Sequence, residues 1–177
     1  MTYNILDLFC GAGGLSLGFE KAGFSVVKAV DIDPWAVQTY NFNRKDKVAE
    51  VLDVSKITKE YLETLRVDGI IGGPPCQAYS IAGRVRDEFG MKNDYRNYLF
   101  ESYIKVLERY KPKAFIFENV PGILSAKPGD RPIIDIIQDS FNEAGYLLLP
   151  NLSEAIIDFT DYGVPQNRKR IIIFGVR

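Results

Sequence analysis

The sequence predicts an α/β fold built on a mostly parallel, seven-stranded sheet with helices on both faces. Three observations carry that expectation. Short apolar runs alternate with segments whose apolar residues recur at helical spacing, the pattern of parallel strands joined by right-handed crossovers. The first apolar run stops at Gly11-Ala12-Gly13-Gly14 and passes directly into such a helical segment. The second run ends in an acidic residue, Asp31, twenty positions after Gly11.

Residues 3–9 form the first strand, and Leu15, Leu17, Phe19 and Ala22 give a helix that runs to Gly23. Lacking Cβ atoms, the glycines between them allow unusual φ values and a close approach of backbone to a ligand, although a tight turn with no ligand would use the same residues. A nicotinamide dinucleotide would call for G-x-G-x-x-G, with glycine where this chain has Ser16, and that reading is weakened. Residues 25–30 make the second strand. Asp31 at its end offers two acceptor oxygens to the two hydroxyls of a ribose, the place nucleoside-binding α/β folds give a carboxylate. Asp33 precedes Pro34, which suits a first helical position, so Asp33 is the cap of a helix over 34–43. Trp35, Ala36, Tyr40 and Phe42 are expected to turn towards the sheet. A short third strand over 47–52 ends in Asp53, a helix follows over 57–65, and residues 67–71 supply the fourth strand.

That strand leads into GGPPCQAYSIAGR, residues 72–84, with Cys76 at its centre. Pro74 and Pro75 fix two φ angles and press their predecessors towards extended conformations, which presents the thiol on a stiff support. Cys76 is then either a buried small hydrophobe or a nucleophile. The chain has no histidine, which removes the Cys-His hydrolase reading and most metal-site readings. Residues 84–97 are polar, glycine-containing and rich in both charges, and read as a loop. Apolar residues at 99, 100, 103, 104 and 107 mark an amphipathic helix over 98–110 that stops before Lys111-Pro112. The fifth strand, 114–117, delivers Glu118-Asn119-Val120 to the same end of a parallel sheet as Cys76, where Glu118 either pairs locally or works beside the thiol. A helix over 130–144 turns Ile133, Ile134, Ile136, Ile137 and Phe141 inward. Residues 146–149 and 155–157 together make a broken sixth strand, and 170–176 a seventh. Arg168 and Arg170, two apart on an extended segment, share a face.

At 177 residues, 46% hydrophobic and 25% charged, the chain suits one domain over 1–177 with a sizeable core. Its 22 basic and 23 acidic residues leave a net charge of −1, which is not the footprint of a self-sufficient nucleic-acid binder. Any such contact must be local. Arg84, Arg86, Lys92 and Arg96 form one basic cluster, and Arg168, Lys169 and Arg170 another; each is either a solvated face or a binding patch. Cys10 and Cys76 give no disulfide framework, and Cys10 is expected to fill space. No secretory signal or membrane span precedes the first strand, so an intracellular protein is expected, cytoplasmic if bacterial.

Four stretches occur in one order: DLFCGAGG, PPCQ followed by a Ser and a Gly, ENV, and QNRKR. In this they resemble the cytosine-C5 DNA methyltransferase family from Leu6 to Gly175. The resemblance implies a Rossmann-like S-adenosylmethionine-dependent fold in which Cys76 attacks cytosine and Glu118 holds it, with Arg168 and Arg170 in support. It implies cofactor contacts at Phe9, Gly11, Gly13, Gly14, Asp31, Ile32, Asp53 and Pro75, and contacts to double-stranded DNA at Gln77, Ser80, Arg84 and Arg96, with the loop over 84–97 closing on the DNA. No metal is implied. The family's target-recognition region and its later helix, which completes the cofactor pocket, follow QxRxR and are not among these 177 residues; a C-terminal region or a second chain would supply them. Two alternatives stand beside this reading: a cytosine-C5 methyltransferase acting on transfer RNA, and a non-catalytic regulatory relative. The expected mark of the latter is loss of the thiol or carboxylate, and both are present.

Overall fold

A computed structural model describes residues 2–75, 99–127 and 130–177 of the chain. Strands β1 (Asn4–Leu8), β2 (Ser25–Asp31), β3 (Ala49–Val51), β4 (Gly69–Gly72), β5 (Ala114–Asn119), β6 (Ile156–Asp158) and β7 (Lys169–Val176) form one sheet in the order β3-β2-β1-β4-β5-β7-β6. β1 to β5 are parallel, and β7 runs antiparallel between β5 and β6. The winding starts at β1, proceeds to β2 and β3 on one side, then crosses to β4 and β5 on the other. That reversal opens a crevice outside the carboxyl ends of β1 and β4.

Helices α1 (Gly14–Lys21), α2 (Pro34–Phe42), α3 (Lys59–Glu63), α4 (Leu99–Tyr110) and α5 (Ile133–Glu143) flank the sheet. On one face Leu6, Leu8, Ile70, Phe115, Phe117, Ile171 and Ile173 pack with residues of α3, α4 and α5 into the main core. An aromatic cluster holds α4 and α5 to β5: Tyr103 lies 5.4 Å from Phe117 and Phe141 4.3 Å from Phe115, centroid to centroid. Tyr103 also sets its buried hydroxyl 2.8 Å from the Ile116 carbonyl, so no polar atom is stranded there. On the other face α1 and α2 cover the β1 to β3 half with Ile5, Val26, Ala29, Val37 and Tyr40.

Three expectations change. Residues 146–149 make no strand: Leu147 forms only an isolated bridge to Val176, because Gly145 turns the chain at φ 89° and Tyr146 plunges into the core to donate to the Pro112 carbonyl at 3.0 Å. The helix expected from 130 starts at Ile133, since Pro132 disfavours helical φ/ψ at the residue before it and stands as the N-cap. On α2, Trp35 and Phe42 are 74% and 87% exposed and do not face the sheet. At 100° per residue they lie opposite Val37 and Tyr40, which are the buried pair.

Candidate active site

β1 ends in a run of unusual backbone: Phe9 at φ 58°, Gly11 at 53° and Gly13 at 90°. Only glycine fits at 13, because a Cβ there would lie 2.6 Å from the Tyr40 ring. At Gly11 and Gly14 a Cβ would meet nothing within 4 Å, so the outer side of the turn is open. Asp31 braces it. One carboxylate oxygen accepts the Gly11 N–H at 2.8 Å and the other the Asp33 N–H at 2.9 Å, leaving further lone pairs on each. Asp33 caps α2 as expected, accepting from Trp35 N–H at 2.9 Å. Asp53 spends one oxygen capping the short turn Val54–Lys56, taking the Ser55 N–H and hydroxyl at 2.9 and 2.8 Å.

Across the crevice, β5 carries Glu118. Register sets Gly72 beside Phe117, and Gly73 then passes so close that a Cβ on it would lie 2.8 Å from Glu118 Oε2. From the other side β7 brings Arg170, whose Nε is 2.9 Å from Glu118 Oε1, and the residue just before β7 is Arg168, whose Nη2 is 4.0 Å from the same oxygen. Both arginines therefore reach the carboxylate, as their spacing predicts. Asn119, buried beside them, donates to the Pro74 carbonyl at 3.2 Å and accepts the Val120 N–H at 2.8 Å, so β5 grips the start of the GGPP segment. Phe9, Gly14, Gly73, Glu118 and Arg168 border a single cleft of about 620 Å³, a size suited to a small-molecule site. Asp31, Ile32 and Asp53 stand at the carboxyl ends of β2 and β3 along the same sheet edge, and Pro75 follows β4. Cys76, Gln77, Ser80, Arg84 and Arg96 lie outside the described residues.

The model of the C-5 cytosine-specific DNA methylase family matches residues 3–177. The chain belongs to that family. It is 44% identical to the Type II methyltransferase M.FnuDI of Fusobacterium nucleatum over 98% of its own length and 47% of the relative's. It is 41% identical to the Type II methyltransferase M.DdeI of Desulfomicrobium norvegicum, over 98% of this chain and 40% of that one. Its fold is similar to the crystal structure of an E. coli prophage-encoded DNA modification methyltransferase, at a TM-score of 0.78 and 34% identity, covering 99% of this chain and 47% of that one. The chain thus spans about half the length of the curated relatives it matches.

Several residues of this methylase fold that shape the cleft are silent in the sequence. Asp7, 1% exposed, accepts the Ser16 hydroxyl at 2.5 Å, and Ser16 in turn accepts the Tyr40 hydroxyl at 2.9 Å. Arg44 stacks on Tyr40 at 3.8 Å, donates to the Gly13 carbonyl at 2.9 Å and pairs with Glu20 at 3.2 Å, locking the glycine turn from behind. The one available signal was an acid at an inward position of the first strand, in step with Ile5. Burial pushes the Cys10 thiol far up, so this cysteine stays neutral and fills space as expected. Among the described residues, no group of three or more His, Cys, Asp or Glu could hold a metal ion, and no helix is long and apolar enough to cross a membrane.

Proposed function

We propose that the chain carries the cofactor site and chemical centre of a DNA cytosine-C5 methyltransferase, moving a methyl group from S-adenosylmethionine to carbon 5 of a cytosine turned out of the duplex. One observation carries the reading: in a chain of this family, an open glycine turn and a carboxylate gripped by two arginines border the same cleft, where the segment leading to Cys76 begins.

The residues fit the cofactor. The open side of Gly11 and Gly14 admits close backbone approach, Asp31 retains acceptor capacity for ribose hydroxyls, and Ile32, 66% exposed, offers an apolar surface to an adenine ring. Phe9, Gly13, Asp53 and Pro75 complete the proposed contacts, and the second carboxylate oxygen of Asp53 would accept from the adenine amino group. When bound, the cofactor supplies an electrophilic methyl on sulfur.

Carbon 5 of cytosine is not nucleophilic until something adds to the ring. In this mechanism Cys76, as thiolate, adds to carbon 6, while Glu118 bonds to N3 and the exocyclic amine and favours the protonated N3 of the adduct. Arg170 fixes the orientation of Glu118 through their 2.9 Å contact. Arg168 is more exposed and lines the cleft, where it would hold the base carbonyl. After carbon 5 takes the methyl it loses its proton, and elimination returns the sulfur to Cys76. The target must leave the base stack, at a cost of a few kcal/mol that protein contacts replace, and Gln77, Ser80, Arg84 and Arg96 are proposed for that task.

Sequence choice belongs to a further region or a second chain. The net charge of −1 and the exposed apolar strip Phe174-Val176 beside half-buried Ile172 and Ile116 support a partner that brings both positive charge and an apolar face. Such an enzyme works where the DNA is, the cytoplasm in a bacterium. Transfer of radiolabelled methyl to DNA and to transfer RNA tests the reading. The expected result is DNA methylation, weak for this chain alone and raised at least about tenfold by a chain carrying target recognition. Transfer to RNA and none to DNA contradicts it.

A further inference from the structure

Asp7 is sealed beside the cleft with Oδ2 accepting from Ser16, while Oδ1 is buried and has no hydrogen-bond partner among the described residues. A carboxylate in that state costs free energy that a merely structural acceptor, such as asparagine or serine, would avoid. Its surroundings come from every side: Ser16 from α1, Tyr40 from α2 with Arg44 behind it, Cys10 from the turn, Asp31 from β2, Tyr103 from α4, and Glu118 and Arg168 along the cleft. Cys10, Tyr40 and Tyr103 are pushed up by burial and stay neutral, so they offer Asp7 no counter-charge. Arg44 is already engaged with Glu20 and the Gly13 carbonyl.

We infer that Asp7 makes the site selective for a cationic cofactor over its neutral product: the sealed carboxylate, once ionised, attracts the sulfonium of S-adenosylmethionine and gives nothing to the thioether of S-adenosylhomocysteine. The inference rests on the cofactor reading above. It explains an orphan oxygen at this point, because a charge beside a cleft acts through low-dielectric surroundings without a direct contact. Product release then follows from the chemistry itself, since methyl transfer removes the positive charge that Asp7 favours. Desolvation pushes the Asp7 carboxyl up to about 7, with the Ser16 hydrogen bond pulling the other way, so the selectivity switches on as pH rises through neutrality.

The test is calorimetric binding of both ligands to the wild-type chain and to Asp7→Asn, which keeps an acceptor for Ser16 but no charge. Titration of the ligands' own amino groups is common to both proteins and cancels in the comparison. The expected result is that the wild-type preference for S-adenosylmethionine over S-adenosylhomocysteine, relative to the variant's, grows about fivefold between pH 6 and pH 8. Equal pH dependence in the two proteins overturns the inference while leaving the cofactor site intact. Failure of either ligand to bind at millimolar concentration overturns the cofactor reading and this inference with it. Should Asp7→Asn not fold, the wild type with ¹³C-labelled aspartate carboxyls decides: S-adenosylmethionine should lower the Asp7 titration midpoint by about one pH unit relative to S-adenosylhomocysteine. Identical midpoints overturn it.

Discussion

Asp7 and Glu118 border one cleft in opposite surroundings, and their contrast sets what each can do. Glu118 is part-exposed and paired with Arg170, so it is held in place with a face turned to the cleft. Glu118→Gln keeps the shape but cannot favour a protonated ring nitrogen; methyl transfer should fall about 10²- to 10⁴-fold while S-adenosylmethionine affinity changes little, a split that rate and calorimetric measurements resolve. Asp7 carries a stability signature of its own. Between pH about 4 and about 7 the folded state holds a proton there that the unfolded state has released, so stability falls as pH rises across that window and levels off above it. The full effect is on the order of 4 kcal/mol. Urea unfolding should show the decline in the wild type and lose it in Asp7→Asn. At this scale the sequence disclosed Glu118, Arg168 and Arg170, because they sit in recognisable motifs. Arg44 and Asn119 stayed hidden because their partners, Gly13 and Pro74, lie 31 and 45 positions away.

The turn after β1 shows how an element is fixed by what stands behind it. Gly13 needs its left-handed φ of 90° and has the Tyr40 ring where a side chain would go. Gly13→Ala should therefore lower the melting temperature, at roughly 2–4 °C per kcal/mol lost, and weaken cofactor binding as the turn shifts. Gly73→Ala is the mirror experiment: its Cβ displaces Glu118, so activity should collapse with a smaller change in cofactor affinity, read by the same pair of assays. The mostly parallel sheet and most strands and helices were legible from alternation of apolar runs, whereas the order of strands across the sheet was not. The exposed side of α2 was not, because four large apolar residues in nine gave no clear stripe and only the positions of Val37 and Tyr40 against the sheet decide it. Residues 146–149 read as a strand by composition, yet one inward tyrosine after a left-handed glycine leaves them a single bridge.

Across the whole molecule the two faces of the sheet are unequal. α4 and α5 bury Phe115, Phe117 and Ile173 on one side, whereas on the other Phe174 is 50% exposed, above a groove of about 450 Å³ that it shares with Phe19, Phe24 and Ile116. Such a surface fits the partner proposed above. Phe174→Asp should leave folding of the chain intact and abolish stimulation by a complementing chain, measured as methyl transfer against partner concentration. The proposed chemistry depends on a thiol and a carboxylate acting on one base. The most direct measurement is covalent trapping on duplex DNA containing 5-fluorocytosine, in the presence of S-adenosylmethionine and a complementing chain, read as a denaturant-resistant band. Trapping by the wild type and none by Cys76→Ser is the predicted result. Equal trapping by both proteins, or none by the wild type, contradicts the account.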